Sequence, residues 1–165
     1  MFQKVEEHMG QLHRDHDEIR AAMARFAALL TRGHDATRAD MPRERLAFSQ
    51  LLQRHRVVED AEMNAALPGA PLVAALNADM QAILREYSAH IGQWVPARIP
   101  AQWDDYCAAT LALQRRLRHR LAWEERELFP RLPAARTGLI APPPPSSNDP
   151  SSPAPRDTIA ASWRA

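Results

Sequence analysis

The sequence predicts an all-α protein, and three observations carry that prediction. Ala, Leu, Arg, Glu and Gln dominate, the residues that lose least on entering a helix. No stretch alternates apolar and polar residues as a half-buried strand does. Four segments instead repeat core-type residues every three or four positions, with proline and glycine falling between them. Short connections between such segments favour antiparallel neighbours. The expected architecture is therefore an up-down-up-down antiparallel four-helix bundle over residues 5–135.

The first segment runs Leu12, His16, Ile19, Met23, Phe26, Leu30 and closes at Gly33. The second opens near Asp40 and Pro42, a cap and first-turn pair. It carries Phe48, Leu52, His55, Glu59, Glu62 and Ala66 to a stop at Pro68-Gly69. The third runs Val73, Leu76, Met80, Ile83, Tyr87, His90, Trp94 and ends before Pro96. The fourth opens near Pro100 and runs Trp103, Tyr106, Thr110, Leu113, Leu117, Arg120, Glu124, Glu127. Beyond it, 7 of the 14 prolines lie between Pro142 and Pro155. Residues 136–165 are expected to be a Pro/Ser-rich disordered tail, because so little apolar surface cannot offset the entropy of ordering it.

Length and charge exclude several classes of function. At 165 residues the chain suits one domain of ordinary size. Its 21 Lys and Arg against 20 Asp and Glu lack the positive excess that coating nucleic acid or an anionic membrane demands. The basic run from Gln114 to Arg118 is followed at once by Glu124, Glu125 and Glu127, which reads as a charged helix face. No nucleic-acid or membrane partner is expected. A single cysteine, Cys107, rules out an internal disulfide framework or a Cys-rich metal site. With no apolar leader or long apolar run, the expected location is cytoplasmic.

The polar residues on the core-facing stripes are the informative ones. Burying His or Glu costs several kcal/mol, by order of magnitude about 2–7, unless something pairs with it. Yet His16, His55, Glu59, Glu62, His90, Arg120, Glu124 and Glu127 all fall on those stripes. The chain is also internally duplicated. A shift of 65 residues lays the second segment on the fourth, matching Glu59 to Glu124 and Leu67-Pro68 to Leu132-Pro133. A shift of 64 lays the first on the third, matching Asp15 to Asp79 and Ile19 to Ile83. Two pseudo-symmetric hairpins imply a shared central site. His55 and Glu59, at i and i+4, share a helix face and suit one metal ion. His16 adds a second imidazole and Glu124 a second carboxylate, a donor mixture suited to iron, manganese or zinc. A guanidinium at Arg120 between Glu59 and Glu124 is expected either to supply the positive charge of a missing metal or to orient a single remaining ion.

At these residues the chain resembles the hemerythrin-like, or His-His-Glu cation-binding, family. The likeness rests on L-x-x-D-H-x-x-I at Leu12 to Ile19, H-x-x-x-E-D at His55 to Asp60, and E-E-R-E-L-F-P at Glu124 to Pro130. It covers about residues 8–133 and implies a four-helix bundle with a non-haem di-iron centre. Members of the family bind oxygen, sense iron or redox state, or store iron. Family members usually place a His on the third helix and another four residues before the last Glu. Met80 and Arg120 hold those positions here. The spacing from His119 to Glu124 resembles the His and Asp pair of the oxygen-carrying members, which makes His119 a candidate ligand.

The expected metal ligands are thus His16, His55, Glu59, Glu124 and His119, holding one or two non-haem irons, with dioxygen as a further partner. The alternative is a metal-free bundle for structure or protein interaction, with Arg120 in place of the metal charge. No nucleophile–base pair, phosphate-binding loop or nucleotide motif points to an enzyme. Oxygen chemistry at a two-His, one-carboxylate iron is the one enzymatic route these residues offer. His13 is expected on the surface, His90 in the core beside a hydrogen-bond partner, and the tryptophans as core or seam fillers.

Overall fold

The structure, a computed structural model, describes residues 2–132, and they are helical with no strand among them. The tail expected over 136–165 lies outside the described residues. Helix α1 spans Phe2–Thr31, the single turn α2 His34–Thr37, α3 Met41–Ala66, α4 Pro71–Gln93 and α5 Trp103–Trp123. A 3-10 turn, Pro100–Gln102, leads into α5, and a π turn, Glu124–Leu128, continues it. No described helix is long and apolar enough to cross a membrane.

Glycine and proline set the breaks as expected. Gly33 and Gly69 follow α1 and α3 with φ of 84° and 70°, a left-handed backbone that a Cβ would strain. Pro42, Pro71 and Pro100 sit in first turns, where a missing N–H costs no helical hydrogen bond. Asp40 precedes α3, but its side chain makes no capping hydrogen bond. Its own backbone is already helical (φ −85°, ψ −35°), whereas a capping side chain needs an extended one to swing back over the first turn. Helix α2 lies in a connection that periodicity did not mark. There the buried Thr37 donates from Oγ1 to the Gly33 carbonyl at 2.8 Å.

The four long helices touch in a closed order: α1 packs on α3 and α5, and α4 packs on α3 and α5. Three apolar layers fill the space between them. Leu12, Met63, Leu76 and Leu128 belong to one, Ile19, Leu52, Ile83 and Leu121 to the next, and Phe26, Met41, Trp94 and Tyr106 to the third. Burying each large side chain contributes about 1.5–3 kcal/mol. Of the polar stripe residues, His16, His55, Glu59, Arg120 and Glu124 lie between the first two layers. That position dries them, so each must find a partner or carry an energetic cost.

The π turn changes the register at the end of α5. The Phe129 N–H donates to the Glu124 carbonyl at 2.8 Å, five residues back. Without that extra residue Glu127 would face the core, as its spacing predicts. Instead it is half-buried and pairs with Arg126 at 2.9 Å and Arg131 at 3.5 Å, while Leu128 and Phe129 turn inward. Its counterpart Glu62, on regular helix, is buried.

Candidate metal centre

Three helical elements bring four side chains to one place. Helix α1 supplies His16, α3 supplies His55 and Glu59 one turn apart, and the π turn supplies Glu124. All four residues have no measurable exposure. His16 Nε2 lies 3.1 Å from Glu124 Oε2, and His55 Nε2 lies 3.9 Å from the same oxygen and 4.0 Å from Glu59 Oε2. The imidazole centroids are 4.8 Å apart. One ligand atom each from His16, His55 and Glu124 falls within 4.8 Å of the others. None of His16 Nε2, His55 Nε2, Glu59 Oε2 or Glu124 Oε2 has a hydrogen-bond partner in good alignment. Leaving a buried polar atom unsatisfied costs about 1–3 kcal/mol each. Such atoms of His16, His55 and Glu124 converge, with Glu59 Oε2 beside His55, a deficit that a cation would repair.

The second oxygens of the two glutamates face a guanidinium. Arg120 is 1% exposed. Its Nε is in close contact with Glu124 Oε1, and its Nη2 is 3.5 Å from Glu59 Oε1. Its Nη1 donates to Asp79 Oδ2 and to the Leu76 carbonyl, both at 3.0 Å. Each glutamate therefore splits its oxygens: Oε2 toward the histidines, Oε1 toward Arg120. The other oxygen of Asp79 accepts from Arg116 at 3.1 Å. Arg116 is itself shared with Glu86 at 3.0 Å, so with Glu59 and Glu124 both ionised the acids of this network outnumber the two guanidiniums of Arg116 and Arg120.

An outer set of groups holds His16. Its Nδ1 lies 2.9 Å from Glu125 Oε1, and Arg20 grips that carboxylate with two bonds of 2.8 Å. The pairing fixes the ring so that Nε2 faces the cluster. The Arg20 hydrogen bonds hold the Glu125 carboxyl below the usual range. Sequence reasoning missed Glu125, Arg20 and Asp79. Two of the three left a signal in the duplication: an acid follows Glu59 and Glu124 alike, as Asp60 and Glu125, and Asp79 overlies Asp15.

Burial sets the protonation states. Desolvation, opposed by Glu125, lowers the His16 pKa. Desolvation with the nearby His16 and Arg120 takes His55 down to about 3. Both imidazoles are thus neutral at neutral pH, the form that donates a lone pair to a metal. Burial, with Glu124 beside it, pushes Glu59 well up. Burial also raises Glu124, against the pull of Arg120. Burial is the first cause of both shifts, so the pair favours keeping a proton unless a cation takes its place.

His119 does not join the cluster. It is solvent-exposed on α5. The π turn begins only at Glu124, so α5 keeps its ordinary period up to that point. Five residues at ~100° each leave His119 about 140° round the helix from Glu124. Arg120 takes the inward place, and Met80, at the position that overlies His16, is buried. His90 lies away from the cluster; it has the expected hydrogen-bond partner, its Nε2 3.2 Å from Thr110 Oγ1, but it is half-buried rather than in the core. His13 is exposed, its ring edge-on to Phe129. Among the tryptophans, Trp94 is buried, while Trp103 and Trp123 are partly buried against apolar clusters. Cys107 is partly exposed, and burial raises its thiol pKa, which leaves it a poor nucleophile. The chain matches no protein-family model, no curated protein and no solved structure, so its functional reading rests on this geometry.

Proposed function

We propose that the chain is a hemerythrin-like, up-down-up-down four-helix bundle that holds one non-haem iron for binding or sensing oxygen, iron or redox state. The closed order of contacts among α1, α3, α4 and α5 and the short connections support the bundle. The observation that carries the metal is the convergence of buried, unsatisfied donor atoms on His16, His55 and Glu124, with that of Glu59 beside His55. Two imidazole nitrogens and two carboxylate oxygens fit iron, with manganese or zinc as chemically allowed competitors.

Iron held by this set supplies a redox-active centre. The chain's residues do the rest. Glu125, itself clamped by Arg20, orients His16. Leu12, Leu128 and Phe129 on one side and Ile19 and Leu121 on the other keep water out. Arg120 takes one oxygen of each glutamate and so fills the role of a second cation. One ion, not two, then balances the site.

Metal content per chain, by mass spectrometry on full-length protein purified anaerobically from iron-supplemented cells, tests the reading. We expect about one iron per chain, and its loss in His55→Ala. Equal iron in His55→Ala would overturn the assignment. Two irons in wild type would take from Arg120 the role given to it.

One observation favours a second reading, a metal-free bundle for structure or protein interaction. The guanidinium of Arg120 already touches Glu59, Glu124 and Asp79. A proton kept on Glu59 would close the charge count without metal. A folded, thermally stable protein free of iron, and indifferent to chelator, would select that reading.

A further inference from the structure

A second site lies across a single apolar layer from the histidine–glutamate cluster, the layer of Leu52, Ile83 and Leu117. It is a cavity with an empty volume of about 570 Å³, part of it open to solvent, walled by residues of α1, α3, α4 and α5. Its floor is apolar and buried: Met23, Leu52, Ile83 and Leu117 are each at most 3% exposed. Its rim is polar and half-buried, formed by Arg45, Tyr87 and His90. A concave apolar floor beneath a few polar rim groups is the usual form of a small-molecule site.

Charge identifies the occupant. No Asp or Glu lines the cavity, and Arg45 makes no ion pair among the described residues. The other rim groups are already placed. Tyr87 Oη is 2.7 Å from Ser49 Oγ and donates to the Arg45 carbonyl at 3.3 Å. His90 stacks on Tyr106 with centroids 5.6 Å apart. The charge of Arg45 reaches this rim: burial first, then Arg45, brings His90 down to about 4, so the imidazole stays neutral. A lone guanidinium above a dry apolar floor is complementary to a small molecule with an anionic head and an apolar body.

We propose that this cavity binds a small amphipathic carboxylate, with the head on Arg45 beside Tyr87 and His90 and the apolar body against Leu52, Ile83 and Leu117. The site is independent of the metal cluster and stands whether or not iron is bound. Straight-chain and aryl carboxylates share the required chemistry.

Calorimetric titration of the full chain with octanoate, and with 1-octanol as its uncharged counterpart, tests this. Octanoate is expected to bind at least about tenfold more tightly, the weight of a charge-assisted contact. Arg45→Gln should abolish that difference and leave 1-octanol unchanged, while Arg45→Lys keeps most of it. The Arg45 backbone carbonyl, not its guanidinium, meets Tyr87 and Ser49, so these variants retain the helix contacts. Equal affinity for the two probes, octanoate binding that ignores Arg45→Gln, or no binding of either probe would each overturn the proposal.

Discussion

The two halves of the duplicated chain bring opposite chemistry to one site. The first hairpin offers His16, His55 and Glu59, and the matching positions of the second offer Met80, Arg120 and Glu124. Only the glutamates agree. Where the first half presents lone pairs, the second presents a thioether and a fixed positive charge. Their acids diverge with them. Glu125 holds the imidazole of His16, whereas its counterpart Asp60 pairs with Arg56 on the surface at 3.3 Å. Asp79 receives Arg120 and Arg116, whereas its counterpart Asp15 is buried with Oδ1 accepting from Gln11 at 2.7 Å. A symmetric scaffold thus carries an asymmetric site, a ligand half facing a cation half.

The largest expected effect comes from removing the cation half. Arg120→Ala leaves Glu59, Glu124 and Asp79 without their shared guanidinium. Breaking a buried ion pair in this way costs about 3–5 kcal/mol. Urea unfolding of metal-free protein should show that loss, with part of it returned when ferrous iron is supplied. A cost under about 1 kcal/mol would mean that the guanidinium is ornamental and the halves are not complementary.

The ligand half can be tested more gently through its outer acids. Glu125→Gln keeps the size of the side chain but weakens its hold on His16, and should reduce iron affinity by about 10- to 100-fold. Asp60→Asn alters the matching residue, which orients nothing, and should leave iron affinity unchanged. Similar losses in both variants would show that general surface charge, rather than the grip on His16, governs binding.

The duplication also explains which parts were legible in the sequence. Helices α1, α3, α4 and α5 announced themselves because each needs one dry stripe, and Gly33, Gly69, Pro71 and Pro100 interrupt those stripes. His16, His55, Glu59 and Glu124 were readable as polar residues in dry registers. Glu125 and Arg20 lie on helix flanks, where a charged residue looks like ordinary solvated surface until its partner is known. The π turn was hidden because one extra residue leaves no compositional mark. It alone separates the outward Glu127 from the buried Glu62. His119 was misplaced because i, i+5 spacing shares a face only where such a turn intervenes, and here the turn begins one step too late.

The smallest effect probes the asymmetry one layer further on, where His90 stands at the position that Phe26 holds in the first half. Burial and Arg45 hold His90 at about 4, against 6.5 in an unfolded chain. As pH falls below 6.5 the unfolded chain takes up the proton before the folded one does. Stability is therefore lost between pH 6.5 and 4 and changes no further through this group below that range. His55 and, in the same direction, His16 add to the same limb, so the informative quantity is the difference between wild type and His90→Phe. Because His90 is partly exposed, its share falls short of the full single-group slope of about 1.4 kcal/mol per pH unit. Urea midpoints of metal-free protein should therefore converge from pH 7 toward pH 4, with His90→Phe losing less than wild type. Parallel curves would show that solvent reaches His90 freely, and would remove the titrating group from the cavity rim while leaving the cation at Arg45 in place.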